Sequence, residues 1–176
     1  VGSEMCIRDS HGALRLYVMG QRGADRESAT EDDIKKMAEL SAEAIENGAI
    51  GFTTSRTVFH KTSKGELVPS FDAAGDELIQ IAKEIGKTGK GVLQLVSDFL
   101  GGYDEFKMLE KMVEESGCPI SITLAQTDGT KYDYKDLLGW IEDAAKRGLP
   151  VRAQACGRPI GPVSYTHLRA HETSID

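Results

Sequence analysis

An apolar stretch, a loop and a helical period recur along the chain, and this alternation limits the fold more than any other feature. Apolar stretches begin near Ile50, Val92, Ile120 and Val151, at intervals of 42, 28 and 31 residues. Ala49–Thr54, Gly91–Val96, Pro119–Ala125 and Pro150–Ala155 are short and sit next to glycine or proline, as strands do. Helical spacing links Ile34, Met37, Ala38, Ser41, Ala44 and Ile45. It also links Leu78, Ile79, Ala82 and Ile85, then Phe106, Leu109, Met112 and Val113, then Leu137, Leu138, Ile141, Ala144 and Ala145. Thr30-Glu-Asp-Asp33 has the form of a capping box, with acids where the helix dipole favours them. Asn47-Gly48, Ser116-Gly117 and Gly148 supply helix stops. A further run, Ala13–Met19, alternates and ends at Gly20, which predicts a first short strand.

A helix between two strands returns the chain in the same direction, so the sheet is parallel. About five strands and four helices suit a doubly wound sheet or part of an eight-stranded barrel. No glycine-rich dinucleotide fingerprint follows the first strand, which weakens the doubly wound choice. A complete barrel needs about 250 residues. The expected fold is therefore α/β, a partial (β/α)8 TIM-type barrel.

Both ends break the pattern. The DNA string GTGGGCTCGGAGATGTGTATAAGAGACAG encodes residues 1–9, Val-Gly-Ser-Glu-Met-Cys-Ile-Arg-Asp. Its reverse complement encodes residues 163–171, Val-Ser-Tyr-Thr-His-Leu-Arg-Ala-His. The string has the form of a transposase sequencing adapter. The expectation is that 1–10 and 163–176 are translated adapter and that 11–162 is a barrel fragment. The net charge of −7 then becomes −5, from nineteen bases and twenty-four acids. Two histidines stay, His11 and His60, with two cysteines, Cys118 and Cys156. His167 and His171, spaced like a zinc-binding helix pair, drop out.

The acidic balance argues against a nucleic-acid surface. No run of 18 apolar residues suggests a membrane span. Few, scattered cysteines fit a reducing, cytoplasmic setting, and both remaining ones read as structural.

In parallel α/β folds chemistry gathers at strand C-termini and in the loops that follow. That rule selects Thr53, Thr54, Ser55, Arg56 and His60, then Gln94, Ser97 and Asp98, then Thr123 and Gln126, then Arg152, Gln154 and Arg158. The loop at 55–72 is long enough to be a binding loop or a solvated surface loop. In the first case Arg56 can fork onto a carboxylate and His60 can act as base or ligand. Gln94, Gln126 and Gln154 are amides in or just after apolar strands. They either present donors and acceptors to a substrate or hydrogen-bond one another in a barrel interior.

The stretch HGALRLYVMGQRGADRESATEDDIKKMAELSAEAIENGAIGFTTSR, residues 11–56, resembles the central region of the N-acyl-D-amino-acid deacylase (D-aminoacylase) branch of the amidohydrolases. His11-Gly12-Ala13-Leu14-Arg15, Ala29-Thr30 and Gly48-Ala49-Ile50-Gly51 carry the likeness, and GRPIGP at 157–162 adds to it. The family usually has glycine before that histidine; here Ser10 stands there. The resemblance implies a metal-dependent barrel that hydrolyses amide C–N bonds. Its metal, usually zinc, polarises the carbonyl and activates water. The family's first-strand His-x-His and late Asp lie outside 11–162. The strands that would carry two more metal histidines read Leu93-Gln94-Leu95-Val96 and Ser121-Ile122-Thr123-Leu124. An amide rarely binds zinc. No metal ligand is therefore carried over, and zinc or another divalent metal would be held by other parts of the full-length parent.

The resulting expectation is a central fragment of a hydrolase acting on carbon–nitrogen, non-peptide amide bonds, inactive in isolation. Ser55, Arg56, His60, Gln94, Gln126, Arg152 and Gln154 would orient a small-molecule substrate, with no nucleic-acid or membrane partner and no catalytic residue identified. The alternative is a non-catalytic ligand-binding barrel that has lost the metal site. A phosphate-binding barrel would need a glycine-rich loop after a late strand, which this sequence lacks.

Overall fold

The computed structural model describes residues 10–100, 103–125 and 133–155. Within them the chain runs α1 (Ser10–Met19), α2 (Gln21–Ala24), α3 (Glu31–Glu46), β1 (Gly51–Arg56), α4 (Gly75–Lys87), β2 (Val92–Ser97), α5 (Tyr103–Ser116), β3 (Ile120–Leu124), α6 (Tyr134–Lys146) and β4 (Val151–Ala155). The strands form one parallel sheet in the order β1-β2-β3-β4. A doubly wound sheet reverses its strand order at a switch point. This one never reverses, so it is a piece of a barrel wall.

The sheet is two-faced. Phe52, Leu93, Leu95, Ile120, Ile122 and Val151 join one buried cluster with Met37, Leu78, Ile81, Ile85, Leu109, Met112, Leu137 and Ala144 from the helices. Side chains alternate across a strand. Thr53, Ser55, Gln94, Val96, Ser121, Thr123, Arg152 and Gln154 therefore take the opposite face, the inner face of a barrel. Polar residues predominate there, as suits a face that does not pack on helices.

The helices start and stop where local chemistry directs. Thr30 Oγ1 accepts from the Asp33 amide at 3.2 Å, and Asp33 Oδ2 accepts from the Thr30 amide at 2.9 Å. Gly48 follows Asn47 with φ +104°, a conformation open to glycine at little cost. At Gly86 the reason for glycine is proximity. A Cβ there would lie 2.2 Å from the Ser116 carbonyl oxygen, so α4 meets the end of α5 backbone to backbone.

One expected element is corrected. Ala13–Met19 is helix, not strand. Buried in α1 are His11, Gly12, Arg15 and Met19, of which His11, Arg15 and Met19 are spaced by four, while Tyr17 is 78% exposed. Only helical spacing carries both His11 and Arg15 to the single acid that satisfies them, Glu77. Short apolar runs fit either period until such a partner decides. The described residues thus hold four strands and six helices rather than five and four.

Candidate functional site at the C-terminal edge of the sheet

The loop after β1 folds back over the strand it leaves. A turn at Thr62–Gly65 and an antiparallel bridge between Lys61 and Leu67 give it local structure. Both Asp98 oxygens hold its start: Oδ1 accepts from Thr57 Oγ1 at 2.7 Å and Oδ2 from the Val58 amide at 2.8 Å. Asp98 directly follows β2, so one carboxylate ties two neighbouring strand ends together.

This fold-back brings Ser55 and His60 together. Ser55 Oγ lies 2.6 Å from His60 Nδ1. Ser55 is 1% exposed, whereas His60 is half-buried. Ser70 Oγ donates to the Ser55 carbonyl at 3.0 Å, which fixes the loop's return against the strand.

Arg56 points the other way, into the helix layer. Its Nε donates to Glu105 Oε1 at 2.9 Å and its Nη1 to the Ala73 carbonyl. Ser97 Oγ donates to the same Glu105 oxygen at 2.6 Å. Glu105 in the first turn of α5 thus binds the last residues of β1 and β2. Phe99 has φ +52°, and its amide donates to Ser97 Oγ at 2.9 Å. This left-handed step turns the chain away from β2 and buries the Phe99 ring.

Gln94 Nε2 donates to Gln154 Oε1 at 3.4 Å, a long bond that spans β3. Arg152 and Gln154 are exposed on β4, opposite Ser121 and Thr123 in register. Gln126, Cys156 and Arg158 lie outside the described residues. The structure therefore pairs Ser55 with His60 and Gln94 with Gln154, and engages Arg56 with Glu105.

Behind β1 sits a cluster that sequence reasoning did not select. His11 Nδ1 lies 2.9 Å from Thr54 Oγ1, and His11 Nε2 lies 2.6 Å from Glu77 Oε1. Arg15 Nη1 donates to both Glu77 oxygens and Nη2 to the Glu27 carbonyl. His11, Arg15 and Glu77 are each no more than 1% exposed. Burial pushes the Glu77 carboxyl up, but hydrogen bonds and charge from His11 and Arg15 together outweigh it and hold the group below its ordinary value. Spacing was the missed signal: Glu77, Ile81 and Ile85 share one helical stripe, and Ile81 and Ile85 are fully buried.

The sequence model of the amidohydrolase family matches residues 3–168. The chain belongs to the amidohydrolase family. Among solved structures it is similar to a D-aminoacylase described as defining a novel subset of amidohydrolases, at 24% identity and a TM-score of 0.61. That match covers 82% of this chain and 28% of the other. A D-aminoacylase mutant in complex with CuCl2 gives the same figures. The N-acyl-D-glutamate deacylase of Bordetella bronchiseptica, complexed with zinc and a phosphonate inhibitor, matches at 17% identity and a TM-score of 0.64, over 85% of this chain and 30% of that one. The amidohydrolase chain described here thus spans less than a third of the solved structures it matches. No curated protein matches it.

Metal-bound relatives prompt a test of fit. Among the described residues no group of three His, Cys, Asp or Glu side chains could hold a metal ion. His11 and His60 serve separate networks, one behind the sheet and one in the loop over β1. The described residues do not form a metal centre by themselves. No described helix is long and apolar enough to cross a membrane.

Proposed function

We propose that this chain is the central part of an enzyme that hydrolyses the C–N bond of an N-acyl amino acid or a related small amide, as its D-aminoacylase and N-acyl-D-glutamate deacylase neighbours are named for doing. The family match over residues 3–168 carries the reading. The barrel-wall fold and the polar inner face support it, because a barrel enzyme binds substrate at the C-terminal end of such a wall. His60, Gln94, Gln126, Arg152 and Gln154 are proposed to bind substrate, and Ser55 is proposed to act through His60, whose Nδ1 lies 2.6 Å from Ser55 Oγ. Arg56 is proposed to act through the carboxylate of Glu105, holding the β1 loop in place. A divalent metal in the intact enzyme would be held by residues other than those described. Residues 1–10 and 163–176 are proposed to be translated adapter, which genomic DNA read across both junctions tests directly.

The test of function uses the intact protein made from its uninterrupted reading frame. N-acetyl-D- and N-acetyl-L-amino acids are supplied and free amino acid is measured. The expected result is release that a chelator abolishes and added zinc restores, with no release by the 176-residue chain alone. Failure of the metal-replete intact protein to release any amino acid overturns the reading. The second reading, a ligand-binding barrel without catalysis, draws on the amides and hydroxyls at the described strand ends where imidazoles would serve a metal. Saturable binding of N-acyl amino acids without hydrolysis is its signature.

A further inference from the structure

The Ser55–His60 contact fixes more than the position of the ring. A buried hydroxyl needs an acceptor for its proton. Ser55 is 1% exposed, and the one side-chain partner of its Oγ among the described residues is His60 Nδ1, 2.6 Å away. If Nδ1 carried the ring proton it would donate to Ser55 Oγ, and the serine proton would be buried without an acceptor. That arrangement costs about 1–3 kcal/mol, a bias of roughly five- to 150-fold. If Nδ1 accepts instead, both protons are placed: the serine proton on Nδ1, the ring proton on Nε2. Nε2 has no hydrogen-bond partner among the described residues, and the ring is half-buried at the C-terminal edge of β1.

We propose that Ser55 sets the tautomer of the neutral form of the His60 ring, with the proton on Nε2, so that His60 is an oriented hydrogen-bond donor for the acyl carbonyl oxygen of the substrate. This assignment rests on the amide-hydrolase reading for the identity of the acceptor, but not for the tautomer. The partner of one ring nitrogen sets the role of the other. A donor placed before reaction is suited to the charge that develops on a carbonyl oxygen under attack. Ser55 is then a positioning residue, and His60 the group that touches substrate. The Asp98 and Ser70 contacts keep the loop from carrying His60 away.

The test is long-range proton–nitrogen NMR on the 176-residue chain labelled at histidine. His60 is expected to show an unprotonated Nδ1 and a protonated Nε2. Ser55→Thr, which keeps the hydroxyl, should preserve that pattern, and Ser55→Ala should move the two nitrogens toward a mixture of tautomers. A wild-type Nδ1–H pattern overturns the proposal, as does a pattern that Ser55→Ala leaves unchanged. The wild-type spectrum decides the matter even if a variant fails to fold. N-acetylglycinamide, which has carbonyls and no carboxylate, should shift the Nε2 proton downfield. No shift, or a shift with acetate alone, overturns the carbonyl assignment. The tautomer is read without turnover. An intact enzyme that hydrolyses nothing therefore refutes the proposed function while this spectrum still stands on its own.

Discussion

Glu77→Ala is the most demanding perturbation this structure offers. The Glu77 carboxylate is 1% exposed, and it takes hydrogen bonds from His11 and from Arg15, themselves 0% and 1% exposed. Removing it leaves the Arg15 guanidinium buried with the Glu27 carbonyl as its remaining acceptor, and Arg15 Nε already has no partner. Breaking a buried pair from one side costs about 3–5 kcal/mol, because the surviving charge is desolvated and uncompensated. A domain has roughly 5–15 kcal/mol in all. Urea unfolding of the 176-residue chain at neutral pH, followed by circular dichroism, should show the midpoint fall with little change in slope. Removing both charges tests the cause. Glu77→Leu with Arg15→Met should recover most of the loss, since apolar side chains of similar volume replace a buried pair at little cost. A Glu77→Ala loss below about 1 kcal/mol would refute the reasoning, since it is inconsistent with a stranded buried charge. So would a double variant whose loss equals the sum of the singles, because coupled neighbours are not additive.

The same carboxylate predicts a pH dependence. Its folded-state value lies below the ordinary 4.5, so the unfolded chain takes up its proton first as pH falls. The contribution is complete above about pH 4.5 and is lost as pH drops through the folded value. Wild-type stability should therefore decline on acidification below that point. Glu77→Gln, with no proton to gain there, should show a shallower acid limb in the same urea series.

Gly86→Ala should destabilise by about 1–3 kcal/mol despite alanine's better helix propensity, since its Cβ would lie 2.2 Å from the Ser116 carbonyl oxygen. Gly139→Ala in α6 meets nothing within 4 Å and should stabilise by about 0.5–1 kcal/mol, so paired thermal melts of the two variants give opposite signs. Ile122→Ala empties a fully buried position of β3 and should cost about 2–5 kcal/mol by urea unfolding. Thr30→Ala removes the acceptor that caps α3 and should cost about 1 kcal/mol in the same assay.

Much of the architecture was readable because its signals are local. The box at Thr30–Asp33, the stops at Gly48, Gly117 and Gly148, and the helical periods between them each act within a few residues. They locate α3, α4, α5 and α6 without any knowledge of tertiary contacts. β1 to β4 follow from what remains. α1 was not readable in this way. ALRLYVM fits a period of two as well as one of four until Glu77, 62 residues beyond Arg15, decides between them. A choice made by a distant partner cannot be recovered from the segment itself.

The site was legible to the extent that strand parity was known. Ser55 and Arg56 are adjacent in sequence, and both stood out because they end β1. In a strand, neighbours face opposite ways. Ser55 turns to the inner face and meets His60, whereas Arg56 turns to the helices and is held by Glu105. One residue of register thus decides which layer each side chain joins. The buried acids obey the same kind of rule. Glu77 stands in line with Ile81 and Ile85, and Glu105 with Leu109 and Met112, each acid at the N-terminal end of an apolar helical stripe. An acid in such a stripe must find a cation or a donor, because burial alone would neutralise it. Each does so at β1: Glu77 through His11 and Arg15 behind Thr54, and Glu105 through Arg56. The strand that carries Ser55 is thus anchored from behind by one helix N-terminus and at its end by the next, which keeps a single hydroxyl within 2.6 Å of a loop histidine.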